Sequence, residues 1–421
     1  MKKGVTKGAL LASVLVFLLS GSFAVSCAAD PPAKPIIIGC PVSMGVFYGP
    51  DCKNAQLLAI KEINSAGGVK VGNERRPFEL IVEDTRSMEP GVPVTDALLG
   101  IERLITVKKV DFLVGGPVRS EAAFAARDLT NQYKKVTIIT TGTYSPKFGD
   151  EKKYPYSFRI TGDVTFEIPH IHIGLLKHIR EKFGFKKIYI IVQDVKHCRT
   201  AGELVAKLAA KEGFEILGQD VYPTGATDYS MGLLSAKNKG AEILFLWIDN
   251  PELTILANQH YELKVPALPV GYMGPAEHES WWPTTKEKGE YFVVDLLNAG
   301  NAPSNATPWT MQFVEAFKKE YGRDPDAYGI STSYMGVYVL KDAIERAGSL
   351  DPDAVAKALE KTDMVGVYGR IRFKPDHDIV QSMDPKEGAV GTVIQWQNGK
   401  RITVFPESIR VGDIQLPPWF K

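Results

Sequence analysis

Residues 111–126 read DFLVGGPVRSEAAFAA, and the parsing of this stretch decides the fold. Phe112, Leu113 and Val114 form a short apolar run that breaks at Gly115-Gly116-Pro117, and an alanine-rich segment follows at once. An apolar run of this length, closed by glycine and proline, reads as a strand buried on both faces. The alanines read as a helix, with Ser120 at the expected cap position. In a parallel sheet such a strand end turns unpaired N–H groups and the positive end of a helix toward a small anion, most simply a carboxylate. The dipole alone contributes about 0.3–1 kcal/mol, so several donors must converge. On this stretch alone, a Ser120 that merely caps its helix is an equal reading.

The same cadence runs outward in both directions. PIIIGCPVS reads as a strand, and PDCKNAQLLAIKEINSAGG as a helix with Leu57, Ile60 and Ile63 on one side, proline at its start and glycines at its end. RPFELIVEDT and VTIITTG read as strands, with VTDALLGIERLITVKK as a helix between them. A second cycle begins at EIPHIHIGLLKHIREKFG (helix) and continues through KKIYIIVQD, AGELVAKLAAKEG, FEILGQDVYP, AEILFLWID and ALPVGYMG. Strands alternating with amphipathic helices imply parallel sheets covered on both faces. A helical block follows from PWTMQFVEAFKKEYG to DPDAVAKALEKT, and the tail reads as strands with a tight turn at Asn398-Gly399. The expected fold class is α/β, with two Rossmann-like lobes in tandem.

Length and composition allow this. The chain has 421 residues, enough for two or three domains, and its 50 Lys plus Arg balance 49 Asp plus Glu. That balance argues against nucleic acid as a partner. The first 26 residues carry three lysines, an apolar run from Ala9 and small residues before Cys27, the pattern of a secretory signal. No second apolar stretch is long enough to span a bilayer. The mature chain is expected to be exported, either free or lipid-tethered through Cys27, whose lipobox is imperfect because Ala24 stands where leucine is usual. Cys40 and Cys52 read equally well as a disulfide and as two buried thiols.

Motifs for other chemistry are missing. G-x-G-x-x-G, the P-loop and H-E-x-x-H do not occur, so neither a cofactor nor a catalytic metal is expected. His170, His172 and His178 lack a neighbouring carboxylate cluster and read as surface residues rather than metal ligands. No nucleophile stands at a G-x-S-x-G turn, and catalysis has no support. What gathers at strand ends is hydroxyls, glycine and aromatics: Tyr48 before the first helix, and Gly142, Thr143 and Tyr144 in TTGTYSP. Such a lining suits an ammonium or an apolar side chain beside a carboxylate.

The order of elements, together with GPDCKNAQLLAIKEINSAGG, FELIVEDT, VGGPVRSEAA, YSFRIT and DPDAVAKALEKT, resembles the periplasmic leucine/isoleucine/valine-binding protein family. These are type I solute receptors of branched-chain amino-acid ABC importers. The resemblance covers nearly the whole chain from about Pro35. It implies two lobes joined by a three-crossover hinge, placed here at 35–157 plus 296–365 and at 158–295 plus 366–421. It implies an amino acid in the interlobe cleft, its carboxylate on Ser120, with Val118, Gly142, Thr143, Tyr144 and Tyr48 lining the first lobe. In the second lobe it puts His197 or Cys198, and Asp249, where tyrosines are common. Glu277, or less favourably Glu279, falls where an acid meets the ligand's ammonium. Trp281 and Trp282 either wall the ligand or pack as core. Arg119, if inward, favours a dicarboxylate or aromatic acid; if outward, it is a solvated charge. The implied protein is a monomeric receptor, not an enzyme, which hands its small-molecule cargo to an ABC permease. A sensory or regulatory domain of the same fold is the alternative, as is a receptor for aromatic acids, urea or short amides.

Overall fold

The computed structural model describes Met1 and residues 33–46, 48–89 and 91–420; the expected leader and Cys27 lie outside the described residues. Among the described residues no helix is long and apolar enough to cross a membrane.

Two sheets organise residues 34–421. The first has five strands in the order Phe78–Asp84, Ile36–Val42, Phe112–Gly115, Thr137–Ile139 and Ser157–Arg159, all parallel. The second has seven, in the order Lys400–Phe405, Val393–Gln397, Val293–Asp295, Leu268–Met273, Ile243–Ile248, Lys187–Gln193 and Glu215–Tyr222. Its last five are parallel, and the tail hairpin adds antiparallel at one edge. Asn398 and Gly399 turn that hairpin with φ of 52° and 72°, as an Asn-Gly turn requires.

The inner strands of each sheet are buried on both faces because helices cover both, while the edge strands Phe78–Asp84 and Glu215–Tyr222 are partly exposed. Ile36, Ile38 and Val114 pack with Phe313, Phe317 and Leu340 of the helices Pro308–Tyr321 and Ile330–Ala347 in one core. Ile188, Val192 and Phe245 build a second core with Leu176 and Val205, and Leu244, Leu246 and Trp281 a third on the opposite face of the second sheet. In helix Gly49–Ser65 the buried stripe runs through Ala55, Leu58, Ala59, Ile60 and Ile63, so Ile60 and Ile63 face the core as expected while Leu57, at 41% exposed, does not.

Three chain crossings connect the sheets. Leu296 N–H donates to Thr392 O at 2.8 Å, Ala299 N–H to Val390 O at 2.9 Å, and Asn298 Nδ2 to Thr161 O at 3.4 Å. The first crossing follows Arg159, since Ser157–Arg159 is a strand of the first sheet. Val367, Tyr368, Ile371, Ile379, Ala389 and Val390 pack in the first core, which moves the last crossing from the expected 365/366 to about residue 391. The small hairpin Asp363–Gly366/Gly369–Arg372 carries these side chains inward, so the segment belongs with the first lobe.

The Gly-Gly break after Val114 serves packing between strands. A Cβ on Gly115 would sit 2.7 Å from Pro41 O, and one on Gly116 2.8 Å from Ile139 Cδ1, and both residues have φ near +140° (137° and 139°). The close approach expected toward a ligand is thus made to neighbouring strands. Gly115→Ala is expected to lower unfolding free energy by about 1–3 kcal/mol, the cost of forcing a side chain into such a backbone state. Urea denaturation checks this, with wild-type stability as the opposing result.

Candidate ligand-binding site

Strand order reverses once in each parallel sheet, and at each reversal two adjacent loops leave the carboxyl edge in opposite directions. In the first sheet the reversal lies between Ile36–Val42 and Phe112–Gly115. The loops there carry Tyr48 and residues 118–120. In the second it lies between Lys187–Gln193 and Ile243–Ile248, whose loops carry His197, Cys198 and Asp249. Topology therefore brings these residues to the carboxyl edge of each sheet, beside its strand-order reversal.

On the first lobe, Tyr48 is buried, its ring centroid 4.4 Å from that of Tyr328. Val118 N–H donates to Ser87 Oγ at 3.1 Å, and Val118 O accepts Thr143 N–H at 3.0 Å. Gly142 has φ of 54°, and a Cβ there would lie 2.4 Å from Val118 O, so the approach admits only glycine. Thr143 does not offer its hydroxyl outward as expected. Oγ1 donates to Pro117 O at 3.2 Å, a bond that ties the two loops together. Tyr144 is half-buried, and its enclosed hydroxyl has no partner among the described residues. Burial first, then the charges of Glu167, Asp295 and Glu277, push that phenol well up.

Ser120 is the first residue of helix Ser120–Gln132, not its cap; Arg119 holds the cap position, and no side chain caps that end. The reading of Ser120 as a mere helix cap falls away. It is half-buried, while Arg119 is exposed and directed to solvent.

On the second lobe, His197 and Cys198 lie in the first turn of helix Lys196–Lys211, His197 exposed and Cys198 buried. Both reach Asp249: His197 Nε2 hydrogen-bonds Asp249 Oδ2, and Cys198 Sγ donates to the same oxygen at 3.8 Å. Asp249 N–H donates in turn to Gln193 Oε1 at 3.0 Å. Glu277 ends the short helix Gly274–Glu277 and is fully buried. Its Oε2 accepts Tyr328 N–H at 3.1 Å, while Oε1 has no partner among the described residues. Burial pushes this carboxyl well above the usual range, with Asp295 and Asp249 adding to it. Glu279, the less favoured candidate, is exposed. Trp281 is core at 1% exposure, and Trp282 stacks on Trp396 at 6.2 Å, so both pack within the second lobe.

Several contributors escaped the sequence reading. Tyr272 closes its strand beside Trp247, ring centroids 5.4 Å apart, and lies within the electrostatic reach of Glu277, Asp249, Tyr48 and Tyr144. The expected helix around residue 170 is a π-helical turn, Glu167–His172, before the α-helix Ile173–Phe183. Pro169 lacks the N–H that a regular turn needs, and the widened turn swings His172 inward. His172, expected at the surface, is buried with Nε2 3.1 Å from Asp295 Oδ2. His170 is exposed and His178 half-buried, and the three form no common cluster. Cys40 and Cys52 are free buried thiols; burial pushes Cys40 up to about 12.

One buried cation fixes the loop that carries Tyr144. Arg159 is fully buried, with Nη1 donating to Ser145 O at 2.8 Å and also to Thr143 O. Its Nε and Nη2 grip both oxygens of Asp378 at 2.7 and 2.6 Å, and Asp163 lies at 3.3 Å.

Two facing crevices at strand-order reversals, with hinged crossings between them, make a receptor architecture, and residues 42–386 match the periplasmic binding protein family. The chain belongs to that family. Its members are extracytoplasmic solute-binding receptors rather than enzymes. The binding protein is 25% identical over 420 residues to "Leu/Ile/Val-binding protein homolog 7" of Brucella abortus (strain 2308), covering 94% of this chain and 97% of the relative. Among solved structures it resembles the branched-chain amino acid transporter substrate binding protein LivJ from Streptococcus pneumoniae in complex with isoleucine. That match has a TM-score of 0.69 and 21% identity, covering 91% and 100% of the two chains. A solute binding protein from R. palustris in complex with benzoate gives a TM-score of 0.68 at 14% identity, covering 90% and 98%. These likenesses place the fold as that of type I periplasmic binding proteins.

Replacing Arg159 by Met would strand Asp378 and Asp163 in the interior. Arg159→Met is expected to cost the binding protein about 3–5 kcal/mol of stability. Adding Asp378→Asn should recover part of that loss in denaturant titrations, whereas additive losses would show the two side chains to be independent.

Proposed function

We propose that this periplasmic binding protein is the receptor of an ABC importer and carries an amino acid or a related small carboxylate bearing an ammonium group. The observation that carries the reading is Glu277. A fully buried carboxylate with an oxygen that has no partner among the described residues, within the electrostatic reach of Tyr48, Tyr272 and Tyr328, lacks only a cation. A ligand ammonium supplies it, and the tyrosine faces add cation–π attraction. Support for the carboxylate end comes from Ser120 in the first turn of its helix, beside the residues around Val118 and Gly142.

Closure follows from the same contacts. Glu277 belongs to the second lobe, and Tyr328, which donates to it, precedes helix Ile330–Ala347 of the first. A ligand engaging Ser120 on one lobe and Glu277 on the other binds the closed form better than the open one. The equilibrium shifts by that difference alone. The closed monomer then presents a distinct surface to the permease, and no bond of the cargo changes.

A thermal-shift panel tests the class of ligand, since a bound solute raises the melting point. L-amino acids are expected to raise it most, and a panel in which benzoate-like acids outperform every amino acid would overturn the reading. Glu277→Gln keeps the shape and loses the charge, and calorimetry should show about tenfold or greater weakening. Affinity should also fall with pH. Burial raises the Glu277 pKa and only its ionised form pairs with an ammonium, so lowering the pH from the alkaline side toward acid protonates it sooner than an ordinary carboxylate. Flat affinity across that range would remove Glu277 from the ammonium role.

A further inference from the structure

We propose that His197, Cys198 and Asp249 form a binding site for a divalent cation of the zinc class at the mouth of the cleft. The sequence reading expected no metal, and in the chain 51 and 52 positions separate Asp249 from the other two. The fold joins them. Strands Lys187–Gln193 and Ile243–Ile248 are paired neighbours, with Val192 opposite Trp247, so the turn into helix Lys196–Lys211 and the residue after Ile248 share one edge.

The donor atoms His197 Nε, Cys198 Sγ and an Asp249 oxygen all lie within 4.8 Å of one another, with Sγ 3.8 Å from Oδ2. A tetrahedral zinc ion with bonds of about 2.0–2.3 Å holds its donors about 3.3–3.8 Å apart, so side-chain rotation alone completes the arrangement. The frame is held: Asp249 N–H is bonded to Gln193 Oε1 at 3.0 Å, and Gln193 Nε2 to Thr224 Oγ1 at 3.0 Å. Imidazole, thiolate and carboxylate together favour zinc over the all-oxygen preference of magnesium and calcium. Burial, and after it the charge of Asp249, push the Cys198 thiol well up, so an incoming ion would have to displace its proton.

Three protein donors leave a fourth position open. Glu121, in the first turn of helix Ser120–Gln132 on the other lobe, is near enough to act electrostatically on His197. The second cluster of this kind, Asp51, His278 and Asp326, is different: Arg323 already bridges Asp51 and Asp326 as a built-in cation.

Zinc chloride titrated into the metal-free full chain tests the site, with cobalt(II) as a spectroscopic substitute. One ion per chain is expected, with a thiolate-to-cobalt charge-transfer band. Cys198→Ser should abolish the band, and Cys198→Ser, His197→Ala and Asp249→Asn should each weaken zinc by at least about tenfold. A His170→Ala/His178→Ala double variant should bind zinc as wild type does. His197 is exposed, so its variant keeps the fold, which circular dichroism checks. An absence of zinc binding, a cobalt spectrum without the thiolate band, or affinity unchanged in Cys198→Ser and His197→Ala would each overturn the proposal. None of these outcomes depends on which solute the cleft carries.

Discussion

The guanidinium of Arg159 is the constraint on which the rest of the structure depends. Removing a charge this completely from water is costly unless every donor is answered. Here Nε and Nη2 hold both oxygens of Asp378, and Nη1 holds the carbonyls of Thr143 and Ser145. Asp163, also beside the guanidinium, uses Oδ1 to accept Thr165 N–H at 2.7 Å and so starts the chain into the second lobe. One side chain thus fixes the last strand of the first sheet, the loop bearing Tyr144, the first crossing and the returning segment at residue 378. The loop is held rigid while the crossings beside it remain few and short, and a hinged receptor needs that division.

From that anchor the two crevices follow by topology. Each sheet turns its strand order at one place, and each brings a different chemistry there: hydroxyl, glycine and helix start on the first lobe, and carboxylate, imidazole and thiol on the second. Facing each other, they make a cleft polarised from end to end. On the reading proposed above, such a cleft would select a dipolar solute for an electrostatic reason, since an ammonium at the Ser120 end would meet a helix's positive terminus and a carboxylate at the Glu277 end would meet a buried acid.

Much of this was legible in the sequence, and the illegible part has a common cause. Strand and helix alternation follows from local periodicity, and so does the position of candidate loops. Tyr48, Val118, Gly142, Cys198, Asp249 and Glu277 are found at the crevice ends or beside Tyr328 because strand ends are local features. What periodicity cannot show is which polar atoms the fold uses internally. Thr143 reads as a ligand hydroxyl until Pro117 O is seen 3.2 Å away. Arg159 in YSFRIT reads as a strand residue, since its partner Asp378 is 219 positions on. His172 reads as surface because regular helical spacing puts it there, and a proline-widened turn alone turns it inward.

The pairing of Asp249 with His197 bears on how the cleft divides its two acids. An ammonium held by both Asp249 and Glu277 would have to displace His197 from Asp249, and burial already holds Glu277 toward its neutral form. His197 is raised from its ordinary value, burial opposing and the Asp249 hydrogen bond and charge prevailing, so its imidazolium forms at higher pH than that of a free histidine. Asp249 is therefore answered from within its own lobe, by imidazolium or by a metal bound in its place. Glu277 Oε1 has no such partner among the described residues. On the reading proposed above, the solute is left a single carboxylate to satisfy, and because Tyr328 of the first lobe donates to that carboxylate, the charge that would recognise the cargo stands where the two lobes meet and would reward closure.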